Sequence, residues 1–115
     1  EKYFLYLEDT DLSVRAARLG YRLKLNADAR IYHKVGATSD KVHSEFSLYY
    51  VTRNRLYFVK KLFPSQFWIA ASYSTVTMAL KSILWLATGK VSRIRAVIAA
   101  ISDFFHGVTG KTNRF

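Results

Sequence analysis

Apolar and polar positions along this chain fall into stretches of different period. Residues 3–7 (YFLYL) form a short aromatic-aliphatic run, which reads as a buried strand or the extended approach to a helix. Glu8, Asp9, Thr10 and Asp11 follow, the acids and hydroxyl that cap free N–H groups and suit the positive end of a helix dipole. Leu12, Ala16 and Leu19 then recur at i, i+4 and i+7, Asp11 and Arg15 stand one turn apart as an ion pair, and Gly20 offers a stop. Here the period changes. Residues 21–25 (YRLKL) alternate apolar and basic side chains as a half-buried strand does, 26–29 turn, and 30–34 (RIYHK) read as a second short strand.

Beyond a loop at 35–41 the pattern is helical to the end. A long helix is expected from about 43 to 63, ended by Pro64, with aromatic residues on several faces and Arg53, Asn54, Arg55, Lys60 and Lys61 among them. The stretch 65–88 is the most apolar and about long enough to cross a bilayer, although Lys81 and several Ser and Thr dilute it. Residues 91–105 are amphipathic, with Val91, Ile94, Ile98, Ile101 and Phe105 on one stripe. The tail from 106, with two glycines, is expected to fray. The fold class is therefore α+β by content and mostly α: one helix and two short strands in 1–41, then about three helices in 42–115.

Composition narrows the function classes. The chain has 115 residues, half of them hydrophobic, too apolar for a disordered tail. It has no cysteine, which excludes a disulfide scaffold, a cysteine zinc site and a thiol nucleophile. Residues 1–50 hold eight Lys/Arg against seven Asp/Glu, whereas 51–115 hold ten against the single acid Asp103. So asymmetric a charge implies an anionic partner for the second part. The chain opens at Glu1 inside patterned sequence, without an initiator Met or leader, and reads as a segment of a longer protein.

The acidic cluster is also where the chemistry concentrates. Seen alone, acids at a helix start are capping, and one His beside a short strand is an ordinary hydrogen-bonded residue. In order, however, Glu8, Asp9, Asp11, Leu12, Arg15, Gly20, Tyr21 and His33 resemble the second half of the catalytic domain of family-2 glycosyltransferases, which are inverting GT-A enzymes. The resemblance is specific over 3–40. It continues more weakly through Tyr49, Tyr50, Arg53 and Asn54 to Asp103 and Gly107, an ending similar to bacterial rhamnosyltransferases of cell-surface polysaccharide assembly. It implies that 1–41 is the acceptor-side end of a GT-A α/β domain and that 42–115 is a C-terminal helical region.

Sugar transfer with inversion is a direct displacement at the anomeric carbon, and an acceptor hydroxyl needs a carboxylate to take its proton. The resemblance gives that role to Asp9, with Glu8 and Asp11 as acceptor-side support. It makes His33 a ligand of the divalent metal, Mg or Mn, that offsets the charge of the leaving diphosphate. Arg53 and Asn54 either contact phosphate or acceptor, or are an exposed arginine and an asparagine bonding within its helix.

The family's nucleotide-binding half and its Asp-x-Asp motif are missing, since Asp9-Thr10-Asp11 belongs to the acidic cluster. The segment alone is therefore expected to be inactive and to bind no cofactor. For the full-length protein the implied partners are a nucleotide-sugar donor and a polyprenyl-linked or polysaccharide acceptor. The excess positive charge is read first as fit for an anionic membrane surface, with Trp68 and Trp85 at headgroup depth, and second as a solvated surface. Nucleic acid is not expected, because no recognition motif is present. The stretch 65–88 is read as lying in the interface or in a bundle, with a span as the other possibility. The location implied is peripheral, on the cytoplasmic side of a bacterial inner membrane. Apolar surface left bare would favour self-association. The competing reading is a non-catalytic basic module that binds membranes or partners.

Overall fold

A computed structural model describes residues 3–32 and 44–114. Four α-helices follow one another: α1 (Glu8–Arg18), α2 (Glu45–Leu62), α3 (Phe67–Ala87) and α4 (Val91–Phe105). A 3-10 turn, Pro64–Gln66, joins α2 to α3. Each boundary has a local cause. At α1 the stop is Gly20, whose φ of 84° lets the Gly20 and Tyr21 amides donate to the Ala17 and Ala16 carbonyls. Ser44 caps α2 by accepting from the Ser47 amide at 3.2 Å. Pro64, which has no N–H to continue α2, instead opens the next turn.

Among the described residues there is no strand, which corrects the α+β reading. The alternation in 21–25 is real, but a strand exists only as part of a ladder, and among the described residues no second strand runs beside this one. Leu23 is 66% exposed, Leu25 95% and Ile31 88%, so the apolar side of the pattern has nothing to bury it. The turn at 26–29 does form, closed by an Ala29 amide bond to the Asn26 carbonyl and an Asp28 amide bond to the Asn26 side chain. Residues 33 and 34 of the expected second strand, and the boundary drawn at residue 41, lie outside the described residues.

The core lies between α2 and α4, with α3 packed across both. Tyr49 and Tyr50 of α2 meet Ala96 and Ala100 of α4, all four fully buried. Large rings thus face small side chains, and the two helices approach closely. A second cluster joins Leu56, Phe67 and Phe104. The buried face of α4 is accordingly Ala96, Val97, Ala100, Asp103 and Phe104. That face is rotated away from the bulkier stripe that the periodicity picks out, and Ile98 and Phe105 stay exposed. The same holds for α1, where Leu12 and Leu19 face outward and Asp11 is the buried residue.

The tail is not frayed. Gly107 ends α4 with a φ of 75°, and the Val108 amide returns to the Asp103 carbonyl. Tyr57 then donates to the Val108 carbonyl and Arg53 to the Gly110 carbonyl. The Thr112 amide donates to the Tyr50 hydroxyl, and Arg114 pairs with Asp103. Polar groups on α2 and α4 hold this segment.

Thr52 carries the one buried side-chain oxygen without a hydrogen-bond partner among the described residues. An unmet hydroxyl is a standing cost of about 1–3 kcal/mol. Thr52→Val keeps the shape and removes the cost, so a stabilisation of about 1 kcal/mol is expected in a urea melt; a loss of stability would contradict this.

Candidate functional site

The candidate site lies at the open end of α1. The first turn carries Glu8, Asp9 and Asp11, and no side chain caps it. Glu8 and Asp9 are exposed. One oxygen of Asp9 accepts from the Thr10 amide at 2.7 Å and the Thr10 hydroxyl at 3.3 Å. Its other oxygen has no hydrogen-bond partner among the described residues, and the residue is exposed. A carboxylate in that position can meet a ligand hydroxyl without first giving up a bond within the chain.

Asp11 is different in kind. It is 3% exposed, and both oxygens are bonded: Lys61 Nζ lies 2.8 and 2.9 Å away and Arg15 Nε 2.7 Å away. Burial works to raise its pKa, but the hydrogen bonds and charges of Lys61 and Arg15 outweigh it, and the carboxyl is held below its ordinary 3.8. Tyr3, whose hydroxyl lies 3.4 Å from the same carboxylate, is pushed up to about 12, first by burial and then by the negative charge of Asp11. Asp11 thus docks α1 on the last turns of α2. Arg18 completes the dock, donating to the Leu62 carbonyl with its guanidinium 4.9 Å from the centre of the Phe63 ring.

The sign of the pH effect follows. With a folded pKa below 3.8, the stability that Asp11 contributes is present above that value and disappears as pH falls through the folded pKa. An acid titration of unfolding should show Asp11→Asn less stable than the unsubstituted chain at neutral pH, the gap closing as the folded pKa is crossed. A gap unchanged down to the acid limit would contradict it.

Arg53 and Asn54 are fully buried. Arg53 lies against the faces of Tyr49 and Tyr50 and donates to the Tyr49 hydroxyl, the Asn54 oxygen and the Gly110 carbonyl at 3.2, 3.2 and 2.7 Å. Tyr49 in turn donates to Asp103 at 2.6 Å. Its hydroxyl pKa is raised, chiefly by burial and then by that bond, with Arg53 opposing. Asn54 donates to the Leu5 carbonyl at 2.6 Å. Neither side chain is presented to a phosphate at the surface. The contact reading gives way to one in which the pair knits α2 to the segments on either side of it.

His33 lies outside the described residues. Among the described residues no three of His, Cys, Asp and Glu converge as metal ligands, and the one buried acid at the site end, Asp11, is spent on two cations. The described residues therefore do not assemble a metal site on their own, and no step is drawn through a metal.

Three participants have no signal in the local pattern. Lys61 reaches Asp11 from another helix, and Tyr49 reaches Asp103 across the core. The third is a pair of left-handed residues, Tyr6 and Leu7, immediately ahead of the acidic cluster. Asp103 had a signal, as the lone acid among ten cations in 51–115 and in the middle of an apolar helix. An acid in such a place is buried with a partner far more cheaply than without one. The chain matches no family model, no curated protein and no solved structure.

Proposed function

We propose that this chain is the acceptor-side portion of an inverting glycosyltransferase, with Asp9 as the base that takes the proton of the attacking sugar hydroxyl. The observation that supports the reading best is the state of Asp9: exposed, at an uncapped helix start, with one carboxylate oxygen uncommitted. Glu8 beside it serves to orient the acceptor. Asp11 acts indirectly, by fixing α1. The donor-binding half implied by the sequence resemblance would bury the outward apolar side chains of α1 and of 21–32.

The reaction forms one bond, from the acceptor oxygen to the anomeric carbon, and breaks one, from that carbon to the diphosphate. The proton goes to the Asp9 carboxylate. Inversion makes the test specific. The full-length protein, given a panel of nucleotide sugars and a polyprenyl-linked acceptor, should release nucleoside diphosphate and yield a product of opposite anomeric configuration by NMR. A product of retained configuration would contradict the mechanism.

The same proposal sets the helical region against an anionic membrane surface. Pro64–Ala87 has the length and composition of a span, and only 6% of its apolar window is buried. Trp68, Ile69, Tyr73 and Leu80 are exposed along α3, with the exposed cations Lys81, Lys90 and Arg95 nearby in sequence. Trp85 is a core residue, 8% exposed, and leaves the headgroup role to Trp68. Sedimentation with vesicles should show binding to anionic lipid that weakens with salt. Equal binding to neutral vesicles would remove the charge argument.

A further inference from the structure

Asp9 is exposed, and the two residues before its helix hold a backbone conformation that large side chains avoid. We propose that Asn54 is a positioning residue for the Asp9 carboxylate, acting through the left-handed turn at Tyr6 and Leu7; this rests on the reading of Asp9 as the base. Tyr6 has a φ of 68° and Leu7 a φ of 70°. Neither is Gly, Asn or Asp, the residues that take this region readily, and such a conformation persists only where the surroundings impose it.

The constraint is visible on both sides of the turn. Asn54 Nδ2 donates to the Leu5 carbonyl at 2.6 Å and lies 3.4 Å from the Tyr6 carbonyl. Those carbonyls belong to the two peptide planes on either side of the Tyr6 Cα, so one amide group sets the rotation between them. The Tyr6 hydroxyl is tied independently to the Ser47 hydroxyl at 2.9 Å. On the far side, the Leu7 carbonyl accepts from the Asp11 amide at 2.9 Å and is already part of α1. Leu7 is the joint between a segment fixed by α2 and a helix fixed by the Asp11–Lys61 pair. With both ends held, the joint must turn left-handed.

Asn54 is itself oriented without ambiguity. Its oxygen accepts from Arg53 Nε and Nη2, both at 3.2 Å. A guanidinium only donates, so the Asn54 oxygen faces Arg53 and the NH2 group faces the two carbonyls. Arg53 is anchored in turn on the Gly110 carbonyl and the Tyr49 hydroxyl. The line of contacts runs from the chain's tail through the core to the turn that aims Glu8 and Asp9.

A base displaced by about 1 Å loses on the order of 100-fold in rate. The test uses the full-length protein and reads kcat for nucleoside diphosphate release with a nucleotide sugar and a polyprenyl-linked acceptor, each variant checked for fold by circular dichroism. Asn54→Ala should lower kcat by about 10–100-fold with the KM for the donor unchanged. Leu7→Gly, which accepts a positive φ freely, should keep the full rate alone and restore most of it to Asn54→Ala. Leu7→Val removes none of the hydrogen bonds of Asn54 or Arg53 but resists the left-handed region, and should lose kcat like Asn54→Ala. A fully active Leu7→Val, or an Asn54→Ala/Leu7→Gly pair as slow as Asn54→Ala, would overturn the proposal. If Asn54→Ala does not fold, Asn54→Asp, which keeps an oxygen towards Arg53 and removes the donor to the two carbonyls, is read in its place, and a full rate in that variant overturns the proposal. Asp9→Asn run alongside separates the two ideas. If it retains full rate, the base assignment fails. If it is inactive while Leu7→Val is normal, only the positioning role fails.

Discussion

Asp9→Asn in the full-length protein is expected to lower sugar transfer by about 10²–10⁴-fold, the usual worth of a positioned base. The substitution keeps size and shape and removes the capacity to take a proton. Asp9 is exposed and among the described residues bonds only to Thr10, so the fold should be untouched and the melting temperature should move by less than about 2 °C, as for other surface substitutions. KM for the donor should stay constant, because the base acts on the acceptor oxygen in the transition state. Asp11→Asn should show the opposite profile. Both of its oxygens are committed to Lys61 and Arg15, so the loss is one of stability and of the seating of α1. Equal kinetic damage from both substitutions without a stability difference would count against the division of roles.

The second large effect is on folding. Arg53 is fully buried, and among the described residues no carboxylate bonds to it directly. Its charge is balanced at one remove, through the Tyr49 hydroxyl to Asp103, which is 2% exposed. Asp103→Ala removes the acceptor of Tyr49 and leaves a buried cation uncompensated. The expected cost is about 3 kcal/mol, the low end for breaking a buried ionic contact. For 115 residues that corresponds to roughly 12 °C in melting temperature. Arg114→Ala should cost less, about 1 kcal/mol, because its side chain is 59% exposed and water screens its end of the pair, while buried Asp103 keeps its bond from Tyr49. Comparable losses from the two substitutions, read by thermal melts, would place the stabilisation in the tail and not in the core.

These two residues mark what the sequence made legible. Helix positions are written locally, in the acids at 8–11, in Gly20, in Pro64 and in Gly89, and the helices lie where those signals place them. The faces that pack are not written locally. Hydrophobic periodicity ranks positions by apolarity, and so selected Leu12 and Leu19 on α1 and Ile98 and Phe105 on α4, all of which stay exposed. The buried faces were chosen by complementarity instead: alanines opposite tyrosines, and Asp11 and Asp103 opposite cations and hydroxyls from distant parts of the chain. The alternation at 21–25 failed for a related reason, since a strand needs a neighbour and the pattern of one segment cannot supply it.

At the site, Asp9 and Glu8 were legible as types of residue in a recognisable order. The support beneath them was not. Asn54 reads from sequence either as a contact to phosphate or acceptor or as an asparagine bonding within its own helix. Its bonds to the Leu5 and Tyr6 carbonyls join positions almost fifty residues apart, a separation that no local pattern encodes. The left-handed conformation of Tyr6 and Leu7 is equally silent, since neither residue type prefers it.

The most direct measurement is a crystal structure of the full-length protein with a nucleotide sugar and an unreactive acceptor analogue. An acceptor oxygen within about 2.6–3.2 Å of the Asp9 carboxylate, on the face of the sugar opposite the diphosphate, is the predicted result. An acceptor seated elsewhere, with Asp9 still facing bulk water, would contradict the account.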